Sequence, residues 1–264
     1  MKIYKLFFII LYFSWFSLDA QQIMVIIEGA TIHPGNGKVI ENGYLGFADG
    51  KILLCDSVMK SFYKNARIIN AKGKHIYPGL ICMNTVVGLN EIDMVRSTHD
   101  YSETGRINPN VRSLIAYNAD SKIIPTVRSN GITMVQVVPQ GGLISGTSSV
   151  MKTAGWNWED AVYKTDDGVH IYWPEFISYS GVNEKPEEVK QRMEKEFHSI
   201  EDFFDQADQY LKVSKPEITN VRLDAMRGVF KGTKNLYVHV NGARGIISSV
   251  NFIKKYPSIK MVLG

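Results

Sequence analysis

The chain has 264 residues, of which 45% are hydrophobic and 21% charged, and its formal net charge is +4 at pH 7. These values are typical of a globular protein of one or two domains. Because its basic residues are interspersed with acidic ones, the sequence lacks the lysine- and arginine-rich blocks that bind nucleic acid. Nucleic acid is therefore not expected as a partner.

The two cysteines, Cys55 and Cys82, are too few for a disulfide scaffold. An oxidising compartment would permit one bond between them, and the sequence leaves that pairing open. Both lie in apolar, strand-like runs. This favours the alternative that they are two buried small hydrophobic residues.

The N-terminal segment 1–20 has the three parts of a cleavable secretory signal. Lys2 and Lys5 form a basic start, residues 6–18 are apolar, and Asp19-Ala20 closes the segment. The apolar part is shorter than the roughly 20 residues that span a membrane as a helix, so a retained anchor is the less favoured alternative. The sequence predicts export to the periplasm or the cell exterior, with a mature protein that begins at about Gln21.

Residues 23–76 consist of short apolar runs separated by turn signals, among them Pro34-Gly35 and Asp49-Gly50. This spacing predicts a small antiparallel β unit with hairpins at the glycine-rich points.

From Pro78 onward the pattern changes. Residues 80–83 and 132–138 are continuous apolar runs bounded by glycine or proline, which predicts strands covered on both faces in a parallel sheet. Helices are expected over 109–117 and over 121–129, the second with Asp120 as N-cap. The glycine-rich segment 141–149 is expected to be a loop; it lacks the Lys-Ser/Thr pattern of a nucleotide-binding loop.

The last third of the chain predicts a long amphipathic helix from Pro186 to about Leu211, because apolar residues recur there at three- and four-residue steps. A second helix is expected over 217–230, followed by a strand at 236–240, a helix over 243–256 and a strand at 259–263. This β-α-β alternation indicates a right-handed crossover in a parallel sheet.

Several of these segments together resemble the amidohydrolase superfamily, most closely its imidazolonepropionase-like branch. The resemblance rests on residues 49–52, 69–74 and 77–81, on 131–139 and 142–153, and on 237–247. It implies an α/β fold in which a small N-terminal β-sandwich portion, residues 21–77, precedes a (β/α)8 TIM-type barrel. Residues 78–264 would form about the first six strands of that barrel.

The same resemblance implies a metal-dependent hydrolase of carbon–nitrogen bonds other than peptide bonds. In the family, a His-x-His motif on the first barrel strand binds the metal, since alternate residues of a strand share a face. Here Asn84 and Val86 occupy those two positions, and Cys82 stands where the family has aspartate. Valine cannot coordinate a metal, and an amide oxygen suits Ca²⁺ or Mg²⁺ better than zinc, so the motif is degenerate.

Three other residues match ligand positions of the family. His239 matches the histidine of the fifth barrel strand, while Asn241 stands where a second histidine often follows. His170 and Glu175 are the candidates for the fourth strand's ligand. The alternatives are a buried, hydrogen-bonded His239, a His170 that packs among aromatic residues, and a Glu175 in a solvated loop.

The family's third ligand histidine and its general-base aspartate have no counterpart up to Gly264, so the catalytic residues are unknown and the chain is interpreted as C-terminally truncated. We expect an impaired or inactive amidohydrolase-like protein. In the intact family, the cofactor is a divalent metal, zinc, and the substrate is a small amide-type molecule. The alternative is a non-catalytic binding or scaffolding subunit that pairs with an intact homologous chain. Neither hypothesis involves nucleic acid or a stable membrane anchor.

A polar cluster follows the first expected barrel strand, in a position where the functional loops of such barrels lie. A solvated loop is the favoured alternative for it. The cluster comprises Arg96, His99, Asp100 and Glu103.

Overall fold

The computed structural model describes residues 24–59, 66–175 and 185–264. These residues divide into two compact units, one ending at Pro78 and one beginning at Gly79. The predicted signal sequence and its cleavage point lie outside the described residues. No helix within the described ranges combines the length and the apolar character needed to cross a membrane.

The N-terminal unit contains a five-stranded sheet in the order β3-β2-β1-β4, with β5 also paired to β1. The hairpin predicted at Asp49-Gly50 is present, and both residues have a positive φ, as such tight turns require. β1 and β2 pair antiparallel, as do β2 and β3, but β4 and β5 run parallel to β1. The antiparallel prediction is therefore correct for the first three strands only. The strands are β1 (Val25–Ile32), β2 (Ile40–Ala48), β3 (Lys51–Asp56), β4 (Arg67–Asn70) and β5 (His75–Ile76).

Both cysteines are free thiols. Cys55 is exposed on β3, where Leu54 is the buried residue, so the expectation of a buried Cys55 is wrong. The alternation of a strand explains the error, because a run of apolar residues in a sheet with one open face still points every second side chain outward.

The C-terminal unit is built on a curled six-stranded sheet with helices, in the order β11-β10-β9-β8-β7-β6. The pairs β6–β7, β9–β10 and β10–β11 are parallel. β8 is antiparallel to both of its neighbours. The sheet is therefore mixed, whereas the sequence predicted a parallel one. The strands are β6 (Leu80–Thr85), β7 (Ile132–Val137), β8 (Ile144–Lys152), β9 (Val162–Tyr172), β10 (Asn235–His239) and β11 (Lys260–Leu263).

The segment expected to be a glycine-rich loop forms most of β8. Gly146, with φ 146°, lies very close to the segment that contains Val111. A Cβ added to it would be 2.6 Å from the carbonyl oxygen of Val111. A glycine that looks like a loop signal in the sequence is thus a point of close backbone approach inside a strand.

Seven helices are present in the described part of the chain. The long helix begins at Pro186 and ends at Leu211, as predicted. The helix expected over 109–117 is only one turn, and the next begins at Ile123, so Asp120 does not cap it. The helix expected over 217–230 is two short helices. The helices are α1 (Ser113–Ala116), α2 (Ile123–Ser129), α3 (Trp158–Ala161), α4 (Pro186–Leu211), α5 (Val221–Ala225), α6 (Arg227–Phe230) and α7 (Ala243–Ile253).

One face of β9 and β10 forms the larger hydrophobic core. Val169 and Ile171 of β9 are buried in it with Leu236 and Val238 of β10, together with apolar side chains of α4 and α7. Since side chains alternate along a strand, the residues between them lie on the opposite face of the sheet. That opposite face carries the histidines of both strands.

Candidate functional site

Four aromatic rings lie on this opposite face of β9 and β10. The parallel register places Tyr237 beside His170, and His239 beside Tyr172. In each pair the rings are stacked with their centroids 4.6 Å apart, at interplanar angles of 8° and 19°. Two histidines from strands far apart in sequence therefore meet near the carboxyl ends of two adjacent parallel strands.

The two imidazoles are hydrogen-bonded to each other, with 2.8 Å between Nδ1 of His170 and Nε2 of His239. One ring must donate its N–H to the lone pair of the other, so neutral imidazoles suffice to form this bond. Both residues are metal-ligand candidates from the sequence, and the structure places them in direct contact.

Burial sets the charge of this pair. His170 has no exposed surface, and its Nε2 has no hydrogen-bond partner. Burial, followed by the proximity of His239, lowers the pKa of His170 to about 3, and burial also lowers the pKa of His239. The pair is therefore neutral at physiological pH.

A buried carboxylate lies beside the imidazole pair. Asp167 accepts hydrogen bonds from the Tyr237 hydroxyl at 2.5 Å and from Nε2 of Gln136 at 3.1 Å. Lys164 Nζ is 2.5 Å from its second oxygen. Burial opposes ionisation of Asp167, but the hydrogen bonds of Lys164 and Tyr237 and the charge of Lys164 outweigh it and lower the pKa. Asp167 is thus ionised.

Tyr237 keeps its proton in this arrangement, because burial and the Asp167 carboxylate raise its pKa. Its ring lies across Gly168 of the neighbouring strand. A Cβ added to Gly168 would be 2.6 Å from Cε2 of Tyr237, so only glycine leaves room for the ring. Sequence reasoning missed Gln136, Asp167 and Tyr237; the isolated Gly168 within a strand-like run was the available signal.

The two degenerate metal positions of the first expected barrel strand, Asn84 and Val86, have different surroundings. Asn84 has a left-handed backbone, with φ 52°, and its N–H donates to Oε1 of Gln136 at 3.3 Å. Val86 and Cys82 pack against the apolar cluster that contains Leu89. The pairing of β6 with β7 shifts register between Cys82 and Thr85, which breaks the alternation that would align two donors.

Glu175 contacts a helix end and not the two histidines. Its carboxylate accepts the backbone N–H groups of Asn241 at 2.9 Å and Gly242 at 2.7 Å, and Nδ2 of Asn241 at 3.3 Å. Gly242 is the N-cap of α7, where unpaired N–H groups and the helix dipole favour a negative charge. Asn241 therefore binds the carboxylate through its backbone and side chain.

The donor set of the site does not fit catalytic zinc. Catalytic zinc takes three protein ligands in most enzymes. The described residues contain no group of three or more His, Cys, Asp and Glu side chains able to hold a metal ion. The two imidazoles present also share a hydrogen bond, which occupies one lone pair.

The polar cluster after β6 is held by local contacts. Nε2 of His99 is 3.2 Å from the Ile92 carbonyl oxygen, and Glu103 accepts the N–H and hydroxyl of Thr104. Those two hydrogen bonds lower the pKa of the exposed Glu103. Neither residue contacts the imidazole pair.

Comparison with known proteins supports the amidohydrolase resemblance through the fold. No family model and no curated protein matches the sequence. The structure is similar to the crystal structure of an amidohydrolase from Thermotoga maritima, with a TM-score of 0.78 and 19% identity, over 90% of this chain and 63% of that one.

Two weaker likenesses are a prolidase complexed with N-methylphosphonate-L-proline and the A. niger ochratoxinase. Their TM-scores are 0.43 and 0.40, each at 14% identity; the matches cover 86% and 87% of this chain and 59% and 58% of those chains. The comparison therefore depends on the Thermotoga protein. The chain has an amidohydrolase-type fold, with a mixed α/β architecture, a curled six-stranded sheet and a separate smaller sheet. It spans 63% of the length of that relative.

Proposed function

We propose that this chain is an amidohydrolase-type hydrolase unit that acts on carbon–nitrogen bonds other than peptide bonds. The observation that carries the proposal is the hydrogen-bonded pair His170–His239 near the carboxyl ends of β9 and β10. In (β/α)8 barrels the reacting groups lie at this end of the strands, and the curled sheet would correspond to the first part of such a barrel. The Thermotoga likeness supports the fold, the reaction class is what the amidohydrolase resemblance implies, and the imidazole pair supplies the groups that would act.

The hydrogen bond between the imidazoles indicates how His239 would act. If Nδ1 of His170 carries the proton and donates it, the unpartnered Nε2 of His170 is a lone pair; in the opposite tautomer it is a buried N–H. Buried donors without partners are rarer than under-used acceptors, which favours the first arrangement. His239 then accepts at Nε2 and carries its own proton on Nδ1.

His239 is half-buried, whereas His170 is fully buried. We therefore assign to His239 the contact with substrate: its Nδ1–H would donate to the oxygen of an amide carbonyl as water attacks the carbonyl carbon and negative charge develops on that oxygen. The proton that the water loses would leave with the nitrogen as the carbon–nitrogen bond breaks. His170 would act as a positioning residue that fixes the tautomer of His239, and Tyr237 and Asp167 would hold the His170 ring in place.

Since the described residues do not complete a zinc site, no step of this reaction is assigned to a metal. We propose that turnover by this chain is weak compared with that of intact amidohydrolases. The proposed substrates are small N-acyl or cyclic amides, as the amidohydrolase resemblance implies, and the proposed location is the periplasm or the cell exterior.

The experiment is a hydrolysis screen of N-acyl and cyclic amides with the purified chain. The variants are His239→Ala, His170→Asn and, as a matched control, His198→Ala, whose side chain is exposed on α4. We expect weak turnover that is lost in the first variant and retained in the control. Turnover that is equal in all three variants would contradict the role assigned to His239.

A non-catalytic subunit that pairs with a homologous chain is the second candidate function. The observation that favours it is the edge strand β6, on which Leu80, Ile81 and Met83 are 61%, 55% and 60% exposed. An exposed apolar edge strand pairs readily with another chain. Light scattering of this chain mixed with an intact amidohydrolase homologue would distinguish the two: a complex without any turnover by this chain supports the second function.

A further inference from the structure

Four asparagine–glycine pairs occur in the chain, and they differ in their surroundings. Such a pair can lose its side-chain amide, because the glycine nitrogen can attack the side-chain carbonyl carbon and glycine has no Cβ to hinder the approach. The attack needs a glycine N–H that water can reach and that is not bonded elsewhere. The pairs are Asn36-Gly37, Asn42-Gly43, Asn130-Gly131 and Asn241-Gly242.

In three of the pairs, the glycine N–H is hydrogen-bonded or the glycine is buried. The N–H of Gly131 donates to the Arg128 carbonyl oxygen at 2.9 Å. The N–H of Gly242 donates to Oε1 of Glu175 at 2.7 Å. Gly43 is buried within β2, which pairs with β1. A hydrogen bond must therefore break, or a strand must open, before any of these nitrogens can lose its proton.

The pair Asn36-Gly37 lies in the exposed connection between β1 and β2. Among the described residues, the N–H of Gly37 has no acceptor. No atom beyond its chain neighbours lies within 4 Å of the position that a Cβ of Gly37 would occupy. Solvent can therefore reach the nitrogen that would attack.

The side chain of Asn36 is folded toward this nitrogen. Its Oδ1 accepts the N–H of Lys38 at 3.1 Å, and the ring that this hydrogen bond closes contains the Gly37 nitrogen. The bond thus holds the side-chain amide beside the peptide group that would attack it. It would also stabilise the negative charge that develops on Oδ1 during the attack.

We propose that Asn36 is a site of spontaneous deamidation in the folded chain. Hydroxide removes the proton of the Gly37 nitrogen, which attacks Cγ of Asn36. The bond from Cγ to Nδ2 then breaks, and ammonia leaves with a proton taken from water. Water opens the resulting succinimide at either carbonyl, so both aspartate and isoaspartate form. The site is independent of the proposed hydrolase function.

The test is peptide mass spectrometry of the purified, folded chain after incubation at mildly alkaline pH. Trypsin cleaves after lysine and arginine, which places the four pairs on four different peptides. We expect Asn36 to react at least about fivefold faster than the other three asparagines, because each of those pairs must first lose contacts worth about 1 kcal/mol or more. In urea, where these contacts are absent, the four rates should converge.

Gly37→Ala should slow the reaction at Asn36, because the methyl group hinders the nitrogen and alanine is strained at the positive φ of this position, 82°. Gly50→Ala is the matched control, since Gly50 is also an exposed turn glycine with a positive φ and open space around it; it should leave the rate at Asn36 unchanged. Circular dichroism of both variants confirms that the sheet is intact.

Three results would overturn the proposal. The first is a rate at Asn36 in the folded chain that is no higher than the rates of the other pairs. The second is a parent-like rate in Gly37→Ala. The third is a product that contains aspartate without isoaspartate, because a succinimide opens at both of its carbonyl groups.

Discussion

The hydroxyl of Tyr237 donates a hydrogen bond to the buried carboxylate of Asp167 at a distance of 2.5 Å. The carboxylate is ionised and the phenol retains its proton, because the pKa of Asp167 is lowered and that of Tyr237 raised. The contact joins β9 to β10 at residues that precede His170 and His239 in their strands. It is charge-assisted and therefore stronger than a neutral hydrogen bond.

Replacing Tyr237 by phenylalanine should destabilise the fold by about 1–3 kcal/mol, because it leaves a buried carboxylate one donor short while keeping the ring on His170. Urea denaturation of the parent and of Tyr237→Phe measures this difference. Tyr163→Phe, at an exposed position on β9, is the matched control and should change the stability by less than about 0.5 kcal/mol. Equal stabilities of Tyr237→Phe and the parent would contradict the assigned hydrogen bond.

Gly168→Ala should be destabilising by about 1–3 kcal/mol, since the new methyl group overlaps the Tyr237 ring and the Asn235 carbonyl oxygen. The control is the same change in a Tyr237→Ala background, where the ring is absent and the cost should shrink. A cost that is equal in both backgrounds would show that the ring does not require glycine at this position.

Acid should destabilise the protein through the histidine pair. The folded-state pKa of His170 is about 3, against an ordinary value of 6.5. Below pH 6.5, His170 of the unfolded chain binds a proton, whereas His170 of the folded chain stays neutral. The stability that depends on a neutral His170 is therefore fully present above pH 6.5 and declines as the pH falls toward 3. At pH 5 the loss is about 2 kcal/mol.

Urea denaturation at several pH values, compared between the parent and His170→Asn, isolates this contribution. The variant should show a shallower decline between pH 6.5 and 5. His198→Ala, which changes an exposed histidine, should retain the steep decline of the parent. If His170→Asn declined as steeply as the parent, His170 would not be the group responsible.

Much of the fold could be predicted from patterns that are local in sequence. The three- and four-residue spacing of apolar side chains gave both ends of α4, and the hairpin at Asp49-Gly50 followed from its turn residues. β8 was not predictable in this way, because its glycine and serine residues are typical of loops and its strand pairing depends on β7 and β9, which are distant in sequence. The beginning of α5 was likewise missed: the helix was expected from residue 217, whereas Asn220 caps Val221–Ala225 by accepting the N–H groups of Arg222 and Leu223.

The candidate site was predictable only where a residue type carried the signal. His170 and His239 were identified as histidines at matching strand positions, but their contact depends on the register of β9 and β10. Glu175 was identified for its carboxylate, and only the structure locates that carboxylate at the N-terminus of α7. Asp167 could not be identified from the sequence, because only its contacts with Lys164 and Tyr237 in the folded structure distinguish it from any other aspartate in a strand.

The purified chain is expected to contain no stoichiometric zinc. His170 and His239 provide two imidazoles that are hydrogen-bonded to each other, and Glu175, the third predicted candidate, is held by Asn241 and Gly242. Two ligands fall short of the three that catalytic zinc requires in most enzymes. Elemental analysis of metal-supplemented, dialysed protein is the measurement; one zinc per chain that disappears in His239→Ala would contradict the expectation.

The chain should self-associate through the exposed edge of β6. This strand lies at the end of the six-stranded sheet, so one side of its backbone has no strand partner among the described residues. Leu80, Ile81 and Met83 add exposed apolar side chains, which favour association at about 25 cal/mol per Å² buried. A lysine at such an edge opposes strand pairing, because pairing would bring the charge next to apolar surface. Ile81→Lys should therefore shift the protein toward monomer in size-exclusion chromatography with light scattering, whereas Ile247→Lys, at an exposed position on α7, should not. Self-association that persists in Ile81→Lys but is abolished by Ile247→Lys would locate the contact surface on the helix and not on the strand edge.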